Sequence, residues 1–336
     1  MTRFERILLT GGAGFVGSHV SASLAAAFPN AARVILTRPG ETCADPQWTP
    51  IAADLRDESA IDKAVADTQP DLVVHLAGQA SVGQALGAQE QTWRVNFHGS
   101  FNLASALARH APATTVLFAS SASVYGASLR DGPATEATPL RPLDAYGRSK
   151  AAAEAAFVDI LAPASKLVVP RPVNHSGPRQ HGRRFVLSSF AAQITAIESG
   201  RSEPRLTVGD LSKERDFLDV RDVVDAYVGL ARAARELPER VSYFNIASGE
   251  AHTIRSLLDR LRDMAGCAFV EEIDPRLLRP SDSDIACITC DASHLRETTG
   301  WAPRHSIDDM LRSLLEYWRN VDEATLIAAL PENAPR

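Results

Sequence analysis

Cysteine is scarce in this chain, four residues in 336, too few and too scattered for a disulfide framework. Cys287 and Cys290 form one CxxC. A single pair cannot complete a tetrahedral zinc site, and in strand-like surroundings positions i and i+3 face opposite sides, so the pair reads as structural. The histidines form no metal-ligand pattern, and no metal is expected. Long apolar runs are missing: none approaches the ~18–20 residues needed to span a bilayer. The first apolar run, Ile7-Leu8-Leu9, leads straight into a glycine loop, which is not a signal-peptide layout. Positive charge is not in excess. The net charge of −6 argues against a nucleic-acid partner, while a few arginines can still hold an anionic small molecule. Internal repeats and low-complexity segments are absent. The expectation is a soluble cytoplasmic enzyme with no membrane and no nucleic-acid partner. Its 45% hydrophobic content is ample for one large or two intimate domains.

What is present is alternation. Strand-like runs Ile7–Thr10, Arg33–Thr37, Leu72–Ala77, Thr115–Ser120 and Lys166–Val169 are separated by amphipathic, alanine-rich stretches Ser18–Ala27, Ala60–Asp67, Gln91–His110 and Ala145–Leu161. Repeated βα units predict an α/β fold with a doubly wound parallel sheet covered on both faces. After Arg171-Pro172 the pattern is irregular. Helices are expected at Phe185–Ser199, Asp222–Ala234, Thr253–Ala265 and Ile307–Asn320, strands at Arg205–Val208 and Ser242–Ile246, and a frayed tail at Pro331–Arg336. The Rossmann-type domain is predicted over 1–170 plus 218–248, and a smaller mixed α/β substrate-binding lobe over 171–217 plus 249–330, with the site in the crevice between them.

Ile7–Thr10 runs into Gly11-Gly12-Ala13-Gly14-Phe15-Val16-Gly17, a strand, a glycine turn and a helix start. Gly11 allows the tight turn, Gly14 lets a pyrophosphate approach the backbone, and Gly17 lets the helix pack on the strand. The anion then sits at a helix N-terminus, against Phe15 and Val16. Cofactor choice turns on the end of the second strand, Val34-Ile35-Leu36-Thr37-Arg38. No carboxylate closes it, and Arg38 after Thr37 can pair with a 2′-phosphate, so NADP(H) is favoured over NAD(H); Glu41 nearby leaves a ribose contact open.

Tyr146 and Lys150 stand four apart on a predicted helix and therefore on one face. A nearby ammonium and a cationic nicotinamide favour the phenolate, which predicts a lowered Tyr146 pKa and proton exchange with a sugar oxygen. Phe118-Ala119-Ser120-Ser121-Ala122-Ser123-Val124-Tyr125-Gly126 closes the fifth strand.

The Gly-x-x-Gly-x-x-Gly spacing, the Tyr-x-x-x-Lys pair and the Ser-x-x-x-Tyr-Gly strand end resemble the extended short-chain dehydrogenase/reductase superfamily. The resemblance makes Ser121 the third catalytic residue, polarising the reacting oxygen, and gives Lys150 the nicotinamide ribose. It assigns Asp54 and Leu55 to adenine, makes Asn96 a structural asparagine, and adds Leu76, Ala77, Gly78 and Gln79 to the cofactor side. Ala122 and Ser123 stand where sugar 4,6-dehydratases usually carry a carboxylate, which disfavours dehydration. Four segments, Arg171–Gln180, Val208–Leu211 with Arg215–Val224, Arg279–Asp282 and Thr299–Pro303, resemble the GDP-4-keto-6-deoxy-D-mannose reductases, and the likeness runs from Arg6 to Arg319. It implies NADP(H)-dependent reduction of a nucleotide-diphosphate sugar to GDP-D-rhamnose, with a tightly NAD(P)-bound 4-epimerase as the alternative and a non-catalytic dinucleotide sensor as a third reading. Substrate contacts are expected from Ser81, Ser120, Asn174, Arg179, Arg184, Val208, Arg215 and Arg279. Each arginine has a rival role as a structural ion pair, with Asp216, Asp219 or Asp282 as candidates. Gly78 replaces a common Ala, Val173 a Phe and Asp210 an Asn, and Arg179 and Arg183-Arg184 add positive charge. Relatives usually form homodimers through two helices per subunit, here Gln91–His110 and Ala145–Leu161.

Overall fold

The computed structural model describes residues 4–41, 45–278 and 285–331. Arg279, with the Arg279–Asp282 segment, and most of the expected tail lie outside the described residues. Strand β1 (Arg6–Thr10) is buried from Ile7 onward, as a strand covered on both faces must be. It lies between β4 and β2 in a seven-stranded sheet ordered β10 (Val241–Ile246), β6 (Lys166–Pro172), β5 (Thr115–Phe118), β4 (Leu72–His75), β1, β2 (Ala32–Thr37), β3 (Thr49–Ala52). Every pairing in it is parallel. The order reverses beside β1, and the crevice at the carboxyl ends of β1 and β4 is the place where such sheets bind ligands.

One face is covered by α1 (Phe15–Ala27), α8 (Val220–Ala233) and α10 (Ser293–Thr299), through Val20, Leu24, Val223, Tyr227 and Leu295. The other carries α2 (Glu58–Thr68), α5 (Gly99–His110) and α6 (Ala145–Ile160), through Ile61, Val65, Leu103, Leu107 and Phe157. A separate core joins α7 (Val186–Glu198), α9 (Ile254–Met264), α11 (Ile307–Asn320) and α12 (Glu323–Ala329) around Phe190, Leu258, Leu314 and Trp318. Beside it, β9 (Glu214–Asp219) pairs with β7 (Asn174–Ser176), β11 (Ala251–Thr253) and β13 (Cys287–Ile288), and β8 (Arg205–Val208) with β12 (Val270–Ile273). Strand β8 stands where the sequence places it, while β7, β11, β12 and β13, with α3 (Val82–Gly87), α10 and α12, carry too few residues for a period to be read from sequence.

The expected single helix over Gln91–His110 is broken. Helix α4 (Gln89–Trp93) passes into one π-turn, Arg94–His98, before α5 starts at Gly99. The wide turn carries Asn96 inward until it is 1% exposed and its amide is fully engaged, as described below. The CxxC pair does split as expected: Cys290 is buried, and Cys287 on β13 is half-buried.

Candidate active site

The glycine loop opens the crevice. Gly11 has φ +74°, and a Cβ there would lie 2.6 Å from the Ala77 nitrogen, so this backbone passes directly against the end of β4. Gly14 is the N-cap of α1 and its amide donates to the Gly11 carbonyl at 3.0 Å. No side chain caps α1 and no acid sits in its first turn, while Ala13 and Gly14 are exposed and Phe15 and Val16 half-buried. The first-turn N–H groups are thus presented to the crevice, where an anion is favoured.

The rim of β2 differs from the simplest expectation for Arg38. Thr37 is buried, but the Arg38 guanidinium is forked onto Glu41: Nε donates to Oε1 at 2.9 Å, Nη2 bonds the same carboxylate, and the Arg38 amide donates to Oε2 at 3.1 Å. Its side chain is 75% exposed, so water screens the pair and leaves the guanidinium able to turn to a competing anion. Asp54 is similarly held by Arg56, with Nη2–Oδ2 2.6 Å, and that pairing lowers the Asp54 pKa. Leu55 is buried against Gly99, and its carbonyl accepts from Asn102 at 2.9 Å.

A one-way hydrogen-bond chain stiffens the wall between β1, β4 and the π-turn. The Ala77 amide donates to Thr10 Oγ1 (3.2 Å), and Thr10 donates to His75 Nδ1 (2.6 Å). His75 Nε2 then meets Ser100 Oγ (3.1 Å), which donates to the Asn96 carbonyl (2.6 Å). Of the two neutral tautomers only Nε2–H satisfies every link, and burial, with Lys150 adding to it, disfavours the cation and pushes the His75 pKa down to about 3. Asn96 Oδ1 accepts from the Gln79 amide (2.8 Å), and its Nδ2 donates to Gln79 O (3.2 Å) and Ser149 Oγ (3.1 Å). This ties the Leu76–Gln79 rim to α6. A Cβ on Gly78 would stand 3.0 Å from Asn96 Oδ1 and 3.4 Å from Lys150 Nζ. Gln79 Oε1 is buried with no hydrogen-bond partner among the described residues.

Helix α6 starts on Asp144, whose carboxylate accepts from the Gly147 amide at 2.8 Å. It presents buried Tyr146 and Lys150 on one face. Lys150 Nζ donates to the Ala119 carbonyl (2.7 Å) and lies 5.0 Å from the Phe118 ring centroid. Burial takes its pKa down to about 8, and the charge of Glu154 opposes the fall. Ser121 caps a short 3-10 turn, Ala122–Val124, accepting from the Ser123 amide, and hydrogen-bonds the Tyr146 phenol. The phenol pKa is raised, not lowered as the sequence predicted. Burial is the leading cause, the hydrogen bond with Ser121 opposes it, and the charge of Asp144 adds to it. Tyr146 is thus set to hold a proton until an oxygen asks for it.

Several residues expected to meet substrate lie elsewhere. Ser120 is buried and its hydroxyl donates to Glu154, away from the Ser121 side, as adjacent residues at a strand end must diverge. Val208 is a core residue, 1% exposed. Arg215 is buried and donates to the carbonyls of Glu214 (2.7 Å), Ile285 (3.0 Å) and Ala286 (3.2 Å). Two of the carboxylates offered as its partners are held by other groups, Asp216 accepting from Ser248, Gly249 and Thr289 and Asp219 pairing with Arg221, and the third, Asp282, lies outside the described residues. Asn174, Arg179 and Arg184 are exposed, and Ser81 Oγ donates to the Arg184 carbonyl at 3.4 Å, joining the β4 rim to the arginine-bearing loop.

The crevice fits a dinucleotide on three observations: an uncapped helix start behind a glycine turn, a backbone approach at Gly11 that no side chain permits, and an orphaned oxygen on Gln79 of the same rim. The comparisons agree. The chain is 33% identical to a GDP-6-deoxy-D-mannose reductase of Pseudomonas aeruginosa across 94% of this chain and 98% of that one. It matches the structure of RMD from Pseudomonas aeruginosa complexed with NADPH at TM-score 0.77 and 31% identity, covering 94% and 99% of the two chains. It matches a Thermus thermophilus UDP-glucose 4-epimerase complexed with NAD at TM-score 0.80 and 29% identity, covering 94% and 100%. The family model for the NAD dependent epimerase/dehydratase family spans residues 7–247, strand β1 to the residue after β10, and this chain belongs to that family.

Proposed function

We propose that this chain is an NADP(H)-dependent reductase acting on the C4 ketone of a nucleotide-linked 4-keto-6-deoxy sugar, GDP-4-keto-6-deoxy-D-mannose, and forming GDP-D-rhamnose. The observation that carries the reading is the 33% identity to a GDP-6-deoxy-D-mannose reductase over nearly the full length of both chains. The Gly11–Gly17 loop and the start of α1 take the pyrophosphate, Asp54 and Leu55 flank the adenine, and Leu76–Gln79 with Lys150 line the nicotinamide end. When bound, the reduced cofactor supplies the hydride. Tyr146 delivers its proton to the sugar O4. Ser121 donates a hydrogen bond to the same oxygen and so polarises the ketone, and Lys150 holds its ammonium charge below pH about 8. The raised Tyr146 pKa suits a proton donor. Asn174, Arg179 and Arg184, exposed on the segment that follows β6, take the nucleotide diphosphate as donors to its charged oxygens.

Residues 1–170 plus 218–248 act as the cofactor domain, and 171–217 plus 249–330 as the sugar-nucleotide lobe. The assembly is a homodimer. Trp93, Phe97 and Phe101 form a ladder with ring centroids 6.0 and 6.3 Å apart, and Phe101 is 44% exposed on the helical face that a second copy would cover. Among the described residues no helix is long and apolar enough to cross a membrane, and the enzyme works in the cytoplasm, where its reduced cofactor is made.

Absorbance at the NADPH band during incubation with enzymatically made GDP-4-keto-6-deoxy-D-mannose tests the reading. Stoichiometric loss is expected. No loss, together with interconversion of nucleotide-sugar 4-epimers by protein that retains its cofactor, would replace it with the epimerase. Arg38→Ser is expected to weaken NADPH binding about tenfold and leave NADH binding unchanged, since an exposed charge-assisted contact is worth about 1–2 kcal/mol. Fluorescence titration with each cofactor measures it, and equal losses for both would remove Arg38 from 2′-phosphate recognition.

A further inference from the structure

Glu154 stands one turn beyond Lys150, so α6 presents Tyr146, Lys150 and Glu154 in a row toward the end of β5. Its carboxylate is 3% exposed and is gripped by Arg171 of β6, 4% exposed, through Nε–Oε1 at 3.0 Å and Nη2–Oε2 at 2.6 Å. The Ser120 hydroxyl donates to the same carboxylate. Arg171 continues outward: Nη1 donates to the Tyr125 hydroxyl (3.1 Å), which donates to Asn245 Oδ1 (2.7 Å). Asn245 in turn fastens the Ala134 and Asp291 carbonyls, both at 3.0 Å. The Arg171 guanidinium carbon also lies 4.3 Å from the Tyr243 ring centroid. One buried network therefore spans α6, β5, β6 and β10.

We propose that Glu154 and Arg171 are positioning residues for the reaction: Glu154 fixes the Ala119–Ser121 strand end against α6 and supplies the buried negative charge that keeps Lys150 an ammonium, while Arg171 aims that carboxylate. The proposal rests on the catalytic roles given above to Ser121, Tyr146 and Lys150. Geometry carries the first half. Ala119 accepts from Lys150, Ser120 donates to Glu154 and Ser121 bonds Tyr146, so three consecutive residues are pinned to three successive positions of one helix face. Charge carries the second half. Among the described residues, the titratable groups around Lys150 are Tyr146 and Glu154 on its own helix, His75 from β4, which is neutral at physiological pH, and Arg171 from β6 behind Glu154. Glu154 is the anion among them, and it opposes the burial that lowers Lys150 to about 8.

The sign follows directly. Lys150 is charged below its pKa, and removing the Glu154 charge moves that pKa down, so ammonium is lost at lower pH. A downward move of about one pH unit, within the range for a neighbouring opposite charge, cuts the charged fraction about fivefold at pH 8 and about ninefold at pH 9, with almost no change at pH 6.

The deciding readout, the titration of Lys150 itself, needs neither substrate nor cofactor. Lys63, Lys150, Lys166 and Lys213 are the chain's only lysines, so a protein labelled with 13C at lysine Cε gives four resonances, and Lys150→Met assigns one of them. Glu154→Gln keeps an acceptor for Ser120 and removes the charge. The Lys150 titration midpoint is expected to fall by about one pH unit, and the basic limb of kcat with it, while KM holds. If burying Arg171 unpaired prevents folding, the double variant Glu154→Gln/Arg171→Met removes both charges, and its midpoint is expected between the single variant and wild type. A folded double variant whose Lys150 midpoint matches wild type overturns the proposal and leaves a purely structural ion pair. Absence of NADPH oxidation by the wild type would instead overturn the reductase reading without touching the lysine titration.

Discussion

Replacing Tyr146 by phenylalanine will lower kcat by about 10²–10⁴-fold, the usual worth of a positioned proton donor, and change NADPH affinity by less than about threefold. The two effects separate because of where the hydroxyl sits. The ring is 8% exposed and packed, and phenylalanine fills the same volume without a cavity. The hydroxyl itself bonds Ser121, and Ser121 Oγ keeps its contact with the Ser123 amide when the phenol is gone. Nothing else in the wall rearranges: Lys150 remains on the Ala119 carbonyl and Asn96 on Gln79. Single-turnover NADPH oxidation measures the first quantity and fluorescence titration the second. A rate within tenfold of wild type would take Tyr146 out of the chemistry. A collapse of cofactor affinity would make it a binding residue.

The parts of this site that are legible in sequence are the ones whose partners are close along the chain. Gly11, Gly14 and Gly17 sit within one turn, and Tyr146 and Lys150 are four residues apart, so spacing alone predicts a shared loop and a shared face. The same holds for the parallel sheet, since each βα unit repeats a local pattern. What failed needed distant partners. Ser120 reads in sequence as a substrate contact beside the catalytic Ser121, but Glu154, 34 residues on, takes the Ser120 hydroxyl and leaves Ser121 to face Tyr146. Arg215 looks like a phosphate ligand until carbonyls some 70 residues away claim its Nη1. Arg171 opens the Arg171–Gln180 segment, and its hub position depends on Glu154, Tyr125 and Tyr243, which are distant in sequence. The one local clue missed was Glu154 itself, four residues past Lys150 on the predicted helix face. The π-turn had no compositional sign at all, because a single wide turn changes the register of a helix without changing its residues.

Gly17→Ala will unseat α1, and the expectation runs against helix propensity. Alanine is favoured over glycine inside a helix by about 1 kcal/mol, and Gly17 lies three residues past the N-cap with no positive φ to penalise the change. Sterics decide otherwise. A Cβ there would lie 2.1 Å from the Gly11 carbonyl oxygen and 2.6 Å from Gly12 Cα, both backbone atoms that no rotamer change can move. Relief requires α1 to lift from β1 by about 1 Å, and overpacking of this kind costs about 1–3 kcal/mol. The lift also widens the glycine turn that would cradle the pyrophosphate, so binding suffers beyond stability, as a displacement of about 1 Å in a site can cost 10²-fold. The variant should melt several degrees below wild type and lose most of the stabilisation that saturating NADPH gives. Gly87→Ala is the control, since nothing lies within 4 Å of a Cβ at that position. It should leave both quantities unchanged. A Gly17→Ala protein that keeps the wild-type melting temperature and the full NADPH shift would mean that α1 is not held against β1 as tightly as the Gly11–Gly17 contact requires.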